Sequence, residues 1–132
     1  MTKPPIKLPS AEKPAEFIGS SKRDLNDLPW PVKRAFTFAV LLAQQGKKHP
    51  DAEPMKGFGG AGVLEVVMDF KGDTYREVYA TKFDGVIYVL HTFQKKSKKG
   101  RATPQKDIDC IKERLKRAAE HYKENYQSNK TG

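Results

Sequence analysis

The residues of this chain that could do chemistry are mostly cations, and they cluster. Lys95, Lys96, Lys98, Lys99 and Arg101 crowd the end of a strand-forming run, GVIYVLHTFQ. Arg76 lies between Tyr75 and Glu77 in a second such run, and Lys56 lies in a loop rich in glycine. An arginine within a strand is costly to bury unless it meets an anion or a carboxylate. Arg76 therefore reads either as an anion ligand or as the ion-pair partner of Glu65 or Glu77. His91 has an intrinsic pKa suited to proton transfer; the competing reading is a hydrogen-bonded histidine of the core. Lys95 and Lys96 leave a strand in opposite directions, so only one points into a given groove.

This set suits a phosphodiester. RNA brings its own nucleophile, the 2′-hydroxyl. An enzyme need only align it, take its proton, stabilise the charged phosphorane and protonate the departing 5′ oxygen. Lysine and arginine can stabilise that charge, and general acid–base groups each contribute roughly 10²- to 10⁴-fold. Lys98, Lys99 and Arg101 read as phosphate-tracking groups. Tyr79, Tyr88 and Phe93 could stack bases, although strand aromatics also build cores.

Other chemistries find less support. His49, His91 and His121 fall on a loop, a strand and a helix with no metal-ligand spacing, so no metal is expected. GFGGAG lacks the lysine of a phosphate-binding loop and precedes a strand, so no nucleotide cofactor is expected. Cys110 is alone, which precludes an intrachain disulfide, and reads as a small helical residue near the core. With no apolar run of membrane length and no leader-like start, the expected location is cytoplasmic. A formal net charge of +9 on 132 residues points to nucleic acid or an acidic protein as partner.

The elements that must position these groups are readable in order. Residues 1–14 hold four prolines and read as a flexible extension. A single domain is expected over 15–126, followed by a disordered tail over 127–132. Residues 16–19 read as an edge strand. Ser20 and Ser21 both offer N-caps, and Ser21 with Asp24 approximates a capping box for a short helix over 22–27. Pro31 opens a second helix that Gly46 closes. Residues 47–62 form a loop. Residues 63–70, 74–83 and the run from Gly85 form a three-strand antiparallel meander, with Asp84-Gly85 as a tight hairpin turn. The third strand is apolar on both parities and should be central. Thr103 and Pro104 start a last helix whose stripe is Ile108, Ile111, Leu115, Ala118 and Tyr122. With so few helices, one sheet face is expected to be covered and the other partly open.

The Lys56-Gly57 pair, GVLEV at 62–66, TYREVY around Arg76 and HTFQKKS at 91–97 occur together in an order that resembles the phage-derived, HigB-like branch of the RelE/ParE toxin superfamily. The resemblance spans about residues 16–120. It implies an α+β, RelE-like fold: a small twisted antiparallel sheet, made of an N-terminal strand plus the meander, with two N-terminal helices and a C-terminal helix. It also implies the toxin of a type II toxin–antitoxin pair. Toxins of this kind cut mRNA on the ribosome, and the partner is a helix-turn-helix, HigA-like antitoxin. The site it implies is Lys56, Arg76 and Lys95 or Lys96, with His91 nearby. Two other readings remain: a non-catalytic basic RNA- or protein-binding module of phage origin, and a ParE-like gyrase inhibitor.

Overall fold

A computed structural model describes residues 12–60, 62–95 and 103–127 of the chain. It has the α+β class that the sequence leads one to expect. Strand β1 (Ala15–Phe17) is followed by helices α1 (Ser21–Asn26) and α2 (Trp30–Gln44). Then come β2 (Glu53–Pro54), β3 (Val63–Phe70), β4 (Asp73–Ala80) and β5 (Ile87–Lys95). Helix α3 (Gln105–Tyr122) runs into a π-turn at Lys123–Gln127.

The strands form one sheet in the order β1-β5-β4-β3-β2. The meander β3-β4-β5 is antiparallel, as its short connections require. Two features go beyond the expected sheet. β1 joins β5 in parallel, with Glu16 opposite Tyr88, so the sheet is mixed. The two-residue β2 adds a fifth strand beside β3. β5 is thereby an interior strand, flanked by β1 and β4, and most of its residues are buried.

Both faces of the sheet carry a helix, which corrects the expectation of one covered face. Val32, Phe36, Ala39, Val40 and Ala43 of α2 pack with Leu64, Val66, Tyr75, Tyr79, Ile87 and Val89. On the other face Ile111 and Ala118 of α3 pack with Val63, Val78, Ala80, Tyr88 and Leu90. An amphipathic stripe says that a helix lies on something; it does not say on which side. Here α2 and α3 take opposite sides.

A bulge in β5 sets which of its residues meet α3. Val78 pairs with His91 and Tyr79 with Val89, so Leu90 has no partner across the strand. The extra residue shifts the alternation. Tyr88 before it, Leu90 itself, and His91 and Phe93 after it therefore share the α3 face.

Local details differ from expectation in three places. The cap of α1 is Ser20, not Ser21; its hydroxyl donates to Asp24 at 2.7 Å, while Ser21 is buried and donates to the Val89 carbonyl. Helix α3 has Pro104 at its cap position, one residue later than expected. β4 ends at Ala80 and β5 begins at Ile87, so Asp84-Gly85 belongs to a longer connection and not to a two-residue hairpin. Phe83 explains the detour: it packs against Tyr88 and Tyr122, each at 5.2 Å between ring centres. Residues 1–11 and 128–132 of the expected extension and tail lie outside the described residues.

Candidate functional site

The half of the α3 face that α3 leaves uncovered holds the candidate site. Register places Arg76 of β4 between Val67 of β3 and Phe93 of β5. Thr74 faces Lys95 two pairs further along. Arg76, Phe93 and Lys95 thus share one face, since directly opposed residues point the same way. Lys95 takes this side. Lys96, Lys98, Lys99 and Arg101 lie outside the described residues.

A cavity of ≈ 640 Å³ opens on this face, lined by Glu53, Pro54, Met55, Lys56, Glu65, Arg76, Thr103 and Ile108. Lys56 and Arg76, distant in sequence, therefore meet in one concavity. The turn that follows β2 brings the lysine, the middle of the meander brings the arginine, and the start of α3 supplies a wall.

Arg76 is only 7% exposed, and its Nη1 donates to Glu65 Oε2 at 2.6 Å. The sequence offers Glu65 and Glu77 as its ion-pair partners, and the strands decide between them. Glu65 lies on the same face as Arg76, whereas Glu77 points to the α2 side. Glu77 is fully buried, and burial pushes its carboxyl well above the usual carboxylate range. Tyr79 and Thr92 on that side are also deeply buried, and desolvation followed by the nearby Glu77 pushes the Tyr79 hydroxyl up to about 12.

His91 does not line the cavity. It is held between β5 and α3, stacked on Phe93 at 4.4 Å between ring centres. Its Nε2 lies 2.8 Å from Asp107 Oδ1, and its Nδ1 lies 3.3 Å from Arg114 Nη1. A guanidinium can only donate, so Nδ1 accepts and Nε2–H donates to Asp107. Burial lowers the His91 pKa below its ordinary value of 6.5; the bond to Asp107 opposes this and the charge of Arg114 reinforces it. Arg114 also donates to the Leu90 carbonyl at 3.0 Å and to Ser20 Oγ at 3.1 Å. This network clamps the first half of α3 over the bulge.

The far end of α3 is pinned by aromatic hydroxyls. Tyr88 and His121 Nδ1 are 2.7 Å apart, Tyr122 donates to the Asp84 carbonyl at 2.9 Å, and Tyr126 donates to Glu16 at 2.7 Å. Tyr88 and Tyr79 are buried, so neither offers a stacking face. Burial pushes the Cys110 thiol up. Among the described residues no cluster of three or more His, Cys, Asp and Glu side chains is placed to hold a metal ion. No helix of the described residues is long and apolar enough to cross a membrane.

Sequence reasoning overlooked the second carboxylate of the cavity, Glu53, and the α3 wall of Thr103 and Ile108. Glu53 gave no signal, because a two-residue strand inside a Pro/Gly-rich loop has no periodicity. Asp107 was equally silent as a partner for His91, since it becomes one only once α3 packs on the His91 side of the sheet.

Comparison with known proteins assigns a family. Residues 23–116 match the family described as "Phage derived protein Gp49-like (DUF891)". Among solved structures, a chain of the toxin–antitoxin complex RelBE2 from Mycobacterium tuberculosis aligns with a TM-score of 0.44 and 17% identity. That alignment covers 67% of this chain and 97% of the other. No curated protein matches significantly.

Proposed function

We propose an endoribonuclease activity for this chain, which belongs to the phage-derived Gp49-like family within the RelE/HigB-like toxin superfamily. Its substrate in this reading is mRNA on the ribosome, and its partner is an antitoxin of the helix-turn-helix type. The observation that carries the reading is the meeting of Lys56, Arg76 and Glu65 in one cavity on the open half of the sheet.

The chemistry follows from those three groups. A scissile phosphate entering the cavity draws the Arg76 guanidinium toward its non-bridging oxygens. Glu65, displaced from Arg76, accepts the proton of the 2′-hydroxyl. The 2′ oxygen then bonds to phosphorus, and Arg76 offsets the charge that builds on the phosphorane. As the bond from phosphorus to the 5′ oxygen breaks, Lys56 supplies the proton that the leaving oxygen takes. The products are a 2′,3′-cyclic phosphate and a 5′-hydroxyl. Lys95, with Lys96, Lys98, Lys99 and Arg101 beyond it in sequence, continues the cationic track along the RNA. His91 acts as a positioning residue that holds Phe93 and α3 at the rim.

Mapping mRNA 5′ ends after brief induction tests this. New ends in codon register, lost in Arg76→Ala, are the expected result. Growth arrest without new ends, accompanied by loss of supercoiling, refutes it in favour of gyrase. Arrest with neither change refutes it in favour of a binding module.

A further inference from the structure

Helix α2 is apolar on two sides. Val32, Phe36, Ala39, Val40 and Ala43 are buried against the sheet. Trp30, Phe38 and Leu41 point away from it and are 66%, 51% and 41% exposed. At spacings of eight and eleven residues from Trp30, they form one stripe. A helix that is apolar all round belongs between two layers, and the sheet supplies one. The stripe borders a shallow groove of ≈ 700 Å³ lined also by Pro31, Lys33, Arg34 and Ala35.

Charge narrows the occupant. The groove lining contains two cations and no carboxylate, and α2 itself has no acidic residue. The Arg34 guanidinium lies 5.2 Å from the centre of the Trp30 ring, which fixes a positive charge beside the most exposed aromatic. A second copy of this chain would set like charges together, against a net charge of +9. The chain's own first ten residues bring Lys3 and Lys7 and no acid. Single-stranded RNA would find Trp30 to stack on and Lys33 and Arg34 for its phosphates, but it would leave Pro31, Ala35 and Leu41 without an apolar partner.

We propose that the outer face of α2 seats an acidic amphipathic helix of a partner protein. Apolar side chains of that helix enter between Trp30, Phe38 and Leu41, and its carboxylates meet Lys33 and Arg34. The inference rests on the toxin reading for the identity of the partner, which is the antitoxin. It adds where that partner sits: across the sheet from the cavity, so the bound helix leaves Lys56 and Arg76 open.

The chain has one tryptophan, so Trp30 reports directly. The probe is the purified product of the adjacent gene, titrated into the full chain. The expected result is a blue shift of Trp30 emission on binding. Phe38→Ala and Arg34→Glu should weaken binding by at least about thirtyfold, as truncation of an interface anchor does. Thermal melts confirm that these exposed substitutions leave the fold intact. Calorimetry on Trp30→Ala supplies the same comparison without the fluorophore. Equal affinity of wild type and variants overturns the proposed seat and leaves the antitoxin reading standing. No binding to wild type refutes the antitoxin reading, and the occupant with it. A concentration-dependent blue shift in the isolated chain, or one produced by oligouridylate, overturns the occupant in favour of a second copy or of RNA.

Discussion

Glu65→Gln separates a proton acceptor from a mere counter-ion. Glu65 and Arg76 are 2.6 Å apart with side chains 18% and 9% exposed. At an effective dielectric of about 20, two unit charges at that separation attract by roughly 6 kcal/mol. Most of that offsets their desolvation, leaving about 1.5–3 kcal/mol for a charge-assisted hydrogen bond. Glutamine keeps the shape and a carbonyl that can still accept from Arg76, so the loss of stability should be about 1–2 kcal/mol. A domain with a typical stability of about 5–15 kcal/mol stays folded after such a loss. Cleavage should fall much further, by about 10²- to 10⁴-fold, because an amide cannot take the 2′-hydroxyl proton. Denaturant unfolding measures the first effect, and single-turnover cleavage of mRNA on programmed ribosomes measures the second. A glutamine variant that cuts at the wild-type rate or faster would refute the reasoning, because Glu65 would then only compete with phosphate for Arg76.

Three further outcomes are expected. The folded state lowers the His91 pKa, so it binds fewer protons than the unfolded chain just below pH 6.5. Stability should therefore drop as pH falls below about 6.5, and His91→Asn should flatten that slope in melts taken across pH 5–7. Glu77 is buried with a raised pKa, so its contribution is fully present in acid and is lost as pH rises above its ordinary value of 4.5. Glu77→Gln should accordingly raise the melting temperature at pH 7 more than at pH 4. Gly19 has φ +61° and a Cβ there would sit 2.8 Å from Arg114 Nε. Gly19→Ala should cost at least about 1–2 kcal/mol from the left-handed backbone alone, and more if Arg114 releases Ser20 and Leu90; chemical denaturation reads the sum.

Much of this architecture was legible in the residues. The β-branched and apolar run VLEVVMDF marks β3 end to end, and Pro31 with Gly46 brackets α2 within a residue or two. The meander follows from short connections, which leave no room for a crossover. What the residues could not convey was non-local. Nothing in the stripe of α3 chooses a sheet face, and nothing near His91 names Asp107 or Arg114. The cavity was half legible: Arg76 is conspicuous as an arginine in a buried strand, whereas its pairing with Glu65 over Glu77 depends on strand parity. The outer stripe of α2 was overlooked because the inner stripe already accounted for the helix.

The extra residue at Leu90 acts as a parity inverter between two tasks on one strand. Ahead of it, β5 is read by the core in one phase; behind it, the same strand is read by the cationic rim in the other. Each half can drift in sequence without retuning its neighbour, so long as the strand keeps its odd residue. Pairing the strand without the bulge, with every residue kept, would rotate His91, Phe93 and Lys95 together onto the α2 side, emptying the rim while every side chain in it survived.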